Sequence, residues 1–369
     1  MTKLKPLNLL NKTDTKTNTK INTKINTKLD INKINICSNN VNYNKKYKID
    51  KNIIDSIYSD GFPIAQYGLY MKRAKPYRTF KIPVDAGFSC PNKDGTLDSN
   101  GCIFCPKMGR PISVKYCNTK YSLKEQIEKQ IEKQKSKGIE KFYIYFYPGT
   151  NTYGTTPKLK ELWDFALSYS DVMGLSIGTR PDCLNKDVLN ILENYVKNGY
   201  EIWLDLGIQT MHQKTLELLN RKHSVSDTMN AIIQCKKRGI FVCGHTILGL
   251  PNETWNDMME TARILSILEI DALKIYPLVV VKNTELEKMY WKGEYRTLDE
   301  KQYIKLVCDF LEHLSPYVLI QRVSKDKTPD NIKISPEWKL HRLKILNEVS
   351  NELKRRNTKQ GIYFKNKQN

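Results

Sequence analysis

From about Phe80 onward the chain alternates strand-like and helical runs, and this rhythm limits its possible folds more than any other feature. Strand-like runs fall at 81–87, 142–148, 174–180, 200–209, 240–248 and 270–280. Helical runs at 122–137, 157–169, 185–198, 213–220, 225–238 and 254–269 lie between them. Connections this long admit crossover helices, so the sheet is predicted to be parallel. Six such units form either an open doubly wound sheet or a partial barrel.

Alternation inside the strands separates the two. A parallel strand covered by helices on both faces reads apolar throughout. Here Ile202, Leu204, Leu206 and Ile208 alternate with Glu201, Trp203, Asp205, Gly207 and Gln209. In the same way Ser176, Gly178 and Arg180 oppose Leu175, Ile177 and Thr179, and Lys274 and Tyr276 oppose Leu273 and Ile275. One face packs under helices while the other lines a wet or ligand-filled lumen. The expectation is an α/β chain built as a partial (βα)6 TIM-like barrel.

After Val281 the rhythm fades. A helix is predicted over 299–314, stopped by Ser315-Pro316, followed by a strand-like run Tyr317–Val323. A last helix from Pro336 to about Arg356 carries Trp338, Leu340, Leu343, Ile345 and Leu346. Residues 11–36 contain a four-residue repeat, as in Thr19-Lys20-Ile21-Asn22 and Thr23-Lys24-Ile25-Asn26. Asn and Thr are poor helix formers and the apolar stripe is one residue wide. The expected organisation is a disordered low-complexity tail at 1–50, a barrel core at 51–285, a C-terminal α+β extension at 286–356 and a basic tail at 357–369.

The net charge of +21 suits a polyanionic partner. Residues 1–50 hold eleven Lys against three Asp, and 351–369 hold six Lys or Arg against Glu352 alone. The ends therefore carry much of the charge, and Asn, Lys and Ile abound throughout, so a solvated surface is the alternative reading. No run of eighteen apolar residues exists, so no membrane span is expected. The nine cysteines are odd in number and no apolar leader precedes them. They read as reduced thiols of a cytoplasmic protein.

Three of those cysteines share one Gly- and Asp-rich loop, Cys90-Pro-Asn-Lys-Asp-Gly-Thr-Leu-Asp-Ser-Asn-Gly-Cys-Ile-Phe-Cys105. Cys90, Cys102 and Cys105 can hold three irons of a four-iron cluster, leaving the fourth iron open to bind a substrate directly. The other reading is structural zinc, closed by Cys117 as a fourth thiolate. A zinc ribbon usually offers two close Cys pairs, and only Cys102 and Cys105 are paired here.

The loop resembles the cluster loop of the radical S-adenosylmethionine (SAM) enzymes. Within them it is similar to the YtqA/YhcC-type subgroup, related to the radical catalytic subunit of Elongator. Thr150-Asn-Thr-Tyr153, Thr179-Arg-Pro-Asp-Cys-Leu184, Trp203-Leu-Asp-Leu-Gly-Ile-Gln-Thr210, Asn220-Arg-Lys-His223, Gly244-His-Thr-Ile-Leu-Gly-Leu-Pro251 and Leu273-Lys-Ile-Tyr276 carry the resemblance over about residues 58–350. It implies a partial barrel with a C-terminal extension and a [4Fe-4S] cluster on Cys90, Cys102 and Cys105. It further implies SAM as cofactor, one-electron cleavage to methionine and a 5′-deoxyadenosyl radical, and hydrogen abstraction from substrate.

Candidate SAM contacts implied by the resemblance are Phe104 near the adenine and Thr150, Asn151 and Thr152 near the methionine end. Arg180, Asp205, Gln209 and Lys274 lie on the lumen or its rim, and Gly249 forms the turn against which adenine lies. Cys183 reads either as a redox partner or as a small buried hydrophobe. The resemblance implies an electron donor such as ferredoxin or flavodoxin, and tRNA at the wobble uridine as substrate. A small metabolite or protein substrate is the alternative, as is a zinc-stabilised nucleic-acid-binding protein without catalysis.

Overall fold

The computed structural model describes residues 48–106, 116–325, 329, 331–339 and 341–365. The repeat and nearly all of the tail expected at 1–50, Cys37 included, lie outside the described residues. Six parallel strands follow the predicted rhythm: β1 Thr79–Val84, β2 Lys141–Phe146, β3 Val172–Thr179, β4 Glu201–Gln209, β5 Phe241–Leu248 and β6 Ala272–Pro277. The short run expected at 317–323 contributes a further strand, Leu319–Arg322. This strand (β8 below) pairs parallel with β6, so the sheet runs β1-β2-β3-β4-β5-β6-β8.

Crossover helices cover the outer face: α3 Leu123–Lys135, α4 Thr156–Leu167, α5 Lys186–Lys197, α6 Gln213–Leu218, α7 Val225–Lys236 and α8 Trp255–Ile267. Several start where the sequence supplies a reciprocal cap. Ser122 with Glu125, Ser224 with Asp227 and Thr254 with Asp257 each satisfy two otherwise orphaned backbone donors. Under these helices lie Ile202, Leu204, Leu206 and Ile208 of β4, fully buried with Leu192 of α5 and Ile232 of α7. Full burial of such a side chain is worth about 1.5–3 kcal/mol, so this alternation fixes the register of the sheet.

The inner face differs from the expectation in its lower half. Two short helices, α1 Lys51–Ser59 and α2 Tyr67–Ala74, plug the lumen rather than leaving it wet. Ile54, Ile57, Ala65, Tyr70 and Met71 pack there on Tyr143, Trp203, Phe241, Ala272 and Leu319. Trp203 stacks on Phe241 at 4.7 Å and meets Tyr67 edge-on at 5.6 Å. The chain before α2 also lies along β8: Ile320 N donates to Ala65 O at 2.8 Å.

The extension shares the outer core. Helix α10, Glu300–His313, packs on α8 and on α11, Arg342–Arg355, through Val307, Phe310, Leu311, Ile345, Val349 and Leu353. The last helix thus begins at Arg342, later than the sequence suggests. Strand β7, Val280–Val281, pairs antiparallel with β9, Lys333–Ser335, and α9, Glu285–Trp291, follows β7. Part of the expected basic tail is docked: Gln360 is fully buried and donates to Ser315 O and Val318 O, both at 2.8 Å.

Candidate active site

The cysteine loop follows β1 at the C-terminal end of the strands, where barrels of this kind place function. Its own turns fold it back on itself: Lys93 N donates to Cys90 O at 2.8 Å and Cys105 N to Cys102 O at 2.9 Å. Three other segments then strap it down. Thr150 N donates to Ser89 O at 3.0 Å, Ile103 N to Leu219 O at 3.2 Å, and Leu286 N of α9 to Ile103 O at 2.9 Å. Asp98 accepts from Asn100 N and Asn220 Nδ2 and pairs with Lys222, and these contacts lower its carboxyl to about 2.

Cys102 is buried, and two donors face its sulfur. Arg221 Nη1 lies 3.2 Å from Sγ and Asn92 Nδ2 lies 3.4 Å away. Burial alone would push this thiol up, but Arg221, Asn92 and Arg180 outweigh it and hold the thiol below its ordinary value. Arg221 is itself fixed, donating from Nη2 to Gly207 O at 2.7 Å and from Nε to His223 Nε2 at 3.2 Å. Burial and the adjacent guanidinium push His223 down to about 4, so at neutral pH its ring is an uncharged acceptor. The sequence pattern singles out the Asn220–His223 run but does not tie Arg221 or Asn92 to the cysteines.

Cys117 behaves differently. It is buried, donates its S–H to Tyr147 O at 3.4 Å, and is pushed up to about 12 by burial and then by Asp85. Among the described residues, no three of Cys90, Cys102, Cys105 and Cys117 have their sulfurs within 4.8 Å of one another. Zn–S bonds of about 2.3 Å draw thiolates closer than that. Ligands on separate irons of a cluster do not need to be so close, and the donor set suits a [4Fe-4S] cluster.

The candidate SAM contacts fall into three places. Asn151, Thr152 and Arg180 gather beside the loop. Asn151 Nδ2 donates to Gly178 O and Pro148 O, each at 3.0 Å, while its buried Oδ1 has no partner. Arg180 forms a two-point pair with Asp182, at 2.9 and 2.8 Å, and donates to Arg221 O at 2.7 Å. Its Nη1 is buried without a partner, and Cys90 and Cys183 lie close enough to interact with its charge. One unfilled acceptor and one unfilled donor are what an ammonium and a carboxylate need. Thr152 is already satisfied by Thr179 Oγ1 and Cys183 O, each at 2.6 Å, and Thr150 contributes its backbone. Burial pushes Cys183 up to about 12.

Phe104 lies on a second wall with Leu250, Ile247 and Leu286. Gly249, at φ 77°, forms a turn whose carbonyl accepts from Tyr295 Oη at 2.9 Å. Gln209 ends β4 at φ 70°, and a Cβ on Gly207 would sit 3.2 Å from both its Nε2 and Arg221 Nη2.

Asp205 and Lys274 face each other lower in the lumen. Lys274 Nζ is 2.5 Å from Asp205 Oδ1 and His245 Nε2 is 3.2 Å from it, while Ser176 Oγ donates to Oδ2. Burial opposes ionisation of this carboxyl, but Lys274, Lys81 and His245 hold it well below its usual value. Asp205, Cys243 and His245 are near enough to share an ion, yet the Lys274 ammonium already occupies the carboxylate.

Comparison with known proteins places the chain by family and fold. The Radical SAM superfamily matches residues 99–265, and the Radical_SAM C-terminal domain matches residues 270–355. Protein MJ0486 of Methanocaldococcus jannaschii is 69% identical over 85% of this chain and 97% of its own length. YtqA of Bacillus subtilis is 36% identical over 78% of this chain and 88% of its own. The tRNA uridine(34) acetyltransferase of M. jannaschii is 31% identical over 42% of this chain, which spans only 28% of that protein. Among solved structures, an N-terminally shortened Elp3 of Methanocaldococcus infernus shares the fold. Its TM-score is 0.58 at 18% identity, over 78% of this chain and 65% of that one.

Proposed function

The chain belongs to the radical SAM superfamily, in its YtqA/YhcC-type subgroup, and we propose that it modifies the side chain of a wobble uridine in tRNA. In this reading Cys90, Cys102 and Cys105 hold three irons of the [4Fe-4S] cluster, the barrel core runs over 51–285 and the extension over 286–356. As a member of that superfamily the chain is an enzyme that works with a [4Fe-4S] cluster and SAM. The bound cofactors supply one-electron bond cleavage and hydrogen-atom abstraction; the protein supplies placement and exclusion of water.

The observation that carries the reading is the Cys102 sulfur facing Arg221 and Asn92 in a loop held by three other segments. Arg221 favours the thiolate form of that buried ligand. Asn151 Oδ1 offers an acceptor to SAM's ammonium and Arg180 Nη1 a donor to its carboxylate. Thr150 and Thr152 hold the shape of that wall. Phe104, Gly249 and Gln209 line the side where the adenosyl group lies. Asp205 and Lys274, bound to each other, belong to the chamber beneath. An electron donor such as ferredoxin or flavodoxin delivers the electron.

The tRNA substrate is supported by the likeness to a tRNA uridine(34) acetyltransferase and by the chain's excess of basic residues. Anaerobic reconstitution should give about four irons per chain, and with dithionite SAM should yield 5′-deoxyadenosine. Cys102→Ala abolishes both; Cys117→Ala retains both, and its loss of iron would overturn the three-ligand assignment. Affinity for tRNA should fall steeply with salt as counterions are displaced. An unchanged nucleoside profile of bulk tRNA on deleting the gene would overturn the substrate.

A further inference from the structure

One luminal side chain takes no part in holding the cluster or SAM. Lys81, on β1, points its ammonium into the chamber and donates to Ser176 Oγ at 3.2 Å. Its Nζ also lies 5.1 Å from the ring centre of Trp203, 5.4 Å from that of Tyr67 and 6.0 Å from that of Tyr145. Among the described residues no carboxylate comes within 4.0 Å of it. Both oxygens of Asp205 are taken, Oδ1 by Lys274 and His245 and Oδ2 by Ser176.

The chamber therefore holds two ammonium groups against one carboxylate. An ammonium drawn partly out of water with no carboxylate in contact is incompletely compensated. Cation–π contacts return only about 0.5–2 kcal/mol, so the rings alone leave Lys81 short of compensation. Burial lowers Lys81, Asp205 opposes that, and Lys274 adds to it; the balance stays below the usual lysine value. Lys81, Tyr145, His245 and Tyr276 keep partial exposure although they face inward, so the upper lumen has room beside them. The α1–α2 plug packs against the lower part of the lumen, beneath these residues.

We propose that Lys81, positioned by its hydrogen bond to Ser176, forms an oxyanion-binding subsite in which the substrate's carboxylate or phosphate anchors below the reacting carbon. The arriving anion takes the position a second carboxylate would hold and restores the charge balance. This deepens the radical-enzyme reading and rests on the lumen being the reaction chamber.

The test uses the full chain and two probes, [13C]acetate and inorganic phosphate, followed by NMR line broadening at constant ionic strength, with acetamide as the neutral counterpart. One anion should bind saturably and acetamide should not; acetate winning assigns a carboxylate, phosphate winning a phosphate. In Lys81→Met that binding should weaken at least about tenfold, with Lys81→Arg retaining it; Lys81→Gln replaces the Met variant if the latter does not fold. Absence of saturable binding by either anion, or undiminished binding in the Met variant, overturns the subsite. Formation of 5′-deoxyadenosine by the wild-type chain is scored separately. Wild-type protein that cleaves SAM without binding either anion sinks this proposal alone. Anion binding through Lys81 without SAM cleavage supports the subsite and sinks the radical reading.

Discussion

Arg221 Nη1 lies 3.2 Å from Cys102 Sγ, across 119 residues of chain. The guanidinium spends its other nitrogens on Gly207 O and His223 Nε2, so its plane is fixed before any metal arrives. Arg221→Met leaves Cys102 buried without its cation, and burial then pushes the thiol up. Every 1.4 kcal/mol or so of lost thiolate stabilisation lowers the thiolate fraction near neutral pH roughly tenfold. Iron per chain at pH 7 should fall several-fold in Arg221→Met, and Arg221→Lys should restore only part of it, since one point charge cannot hold three partners. Iron assay, with circular dichroism to confirm folding, checks this; a full iron load in the Met variant contradicts it.

Much of this site is legible in the sequence, and what is not has a physical cause. Strand alternation at 201–209 encodes which face meets helices, because burial selects residue type every second position. Cap residues at Ser122, Ser224 and Thr254 mark helix starts through local hydrogen bonds. The cysteine spacing is likewise local. The Arg221–Cys102 contact, the packing of Tyr67 on Trp203 and the pairing of Ala65 with Ile320 join distant segments. No periodicity reports such pairs. Asp205 and Lys274 are recognisable as luminal from alternation, but only the fold shows that each satisfies the other.

Gly149 couples the second strand's loop to the cysteine loop by close approach. Its φ is +90°, and a Cβ there would lie 2.4 Å from Phe88 O, beside the Thr150–Ser89 hydrogen bond. Gly149→Ala adds a backbone clash to a strain of about 1–3 kcal/mol. Gly61, at φ +80° with nothing within 4 Å of the added carbon, is the control. Both alanine variants should lower the urea midpoint, but only Gly149→Ala should also lose bound iron. Equal iron retention would show that the two loops move independently.

The Asp205–Lys274 pair is worth less than the cost of breaking it. Lys274→Met leaves a buried carboxylate supported by His245, Ser176 and the more distant Lys81, and Asp205→Asn leaves Lys81 and Lys274 without the carboxylate they share. Each single change should cost about 3–5 kcal/mol. The double variant removes both charges of the pair and should cost well below the sum of the two. Urea unfolding of the four proteins closes the cycle, and additive costs would mean that the two groups do not act as a pair.

His223 gives the barrel a pH dependence of its own. In the folded chain burial, then Arg221, and more weakly Arg180 hold the ring near 4, while the Ser224 carbonyl and Asp182 pull the other way; the free side chain titrates near 6.5. As pH falls through 6.5 the unfolded chain takes up a proton that the folded chain refuses. Stability is therefore full above about 6.5, declines between there and about 4, and levels off below. The slope from one such proton is about 1.4 kcal/mol per pH unit. Gln at this position keeps an oxygen to accept from Arg221 Nε and does not titrate. Urea midpoints of wild type and His223→Gln should therefore run parallel above pH 6.5 and diverge below it, the wild type falling faster. Curves that stay parallel down to pH 4 would mean that the folded ring takes up its proton as readily as the free side chain, and that Arg221 is positioned by something other than a persistently neutral imidazole.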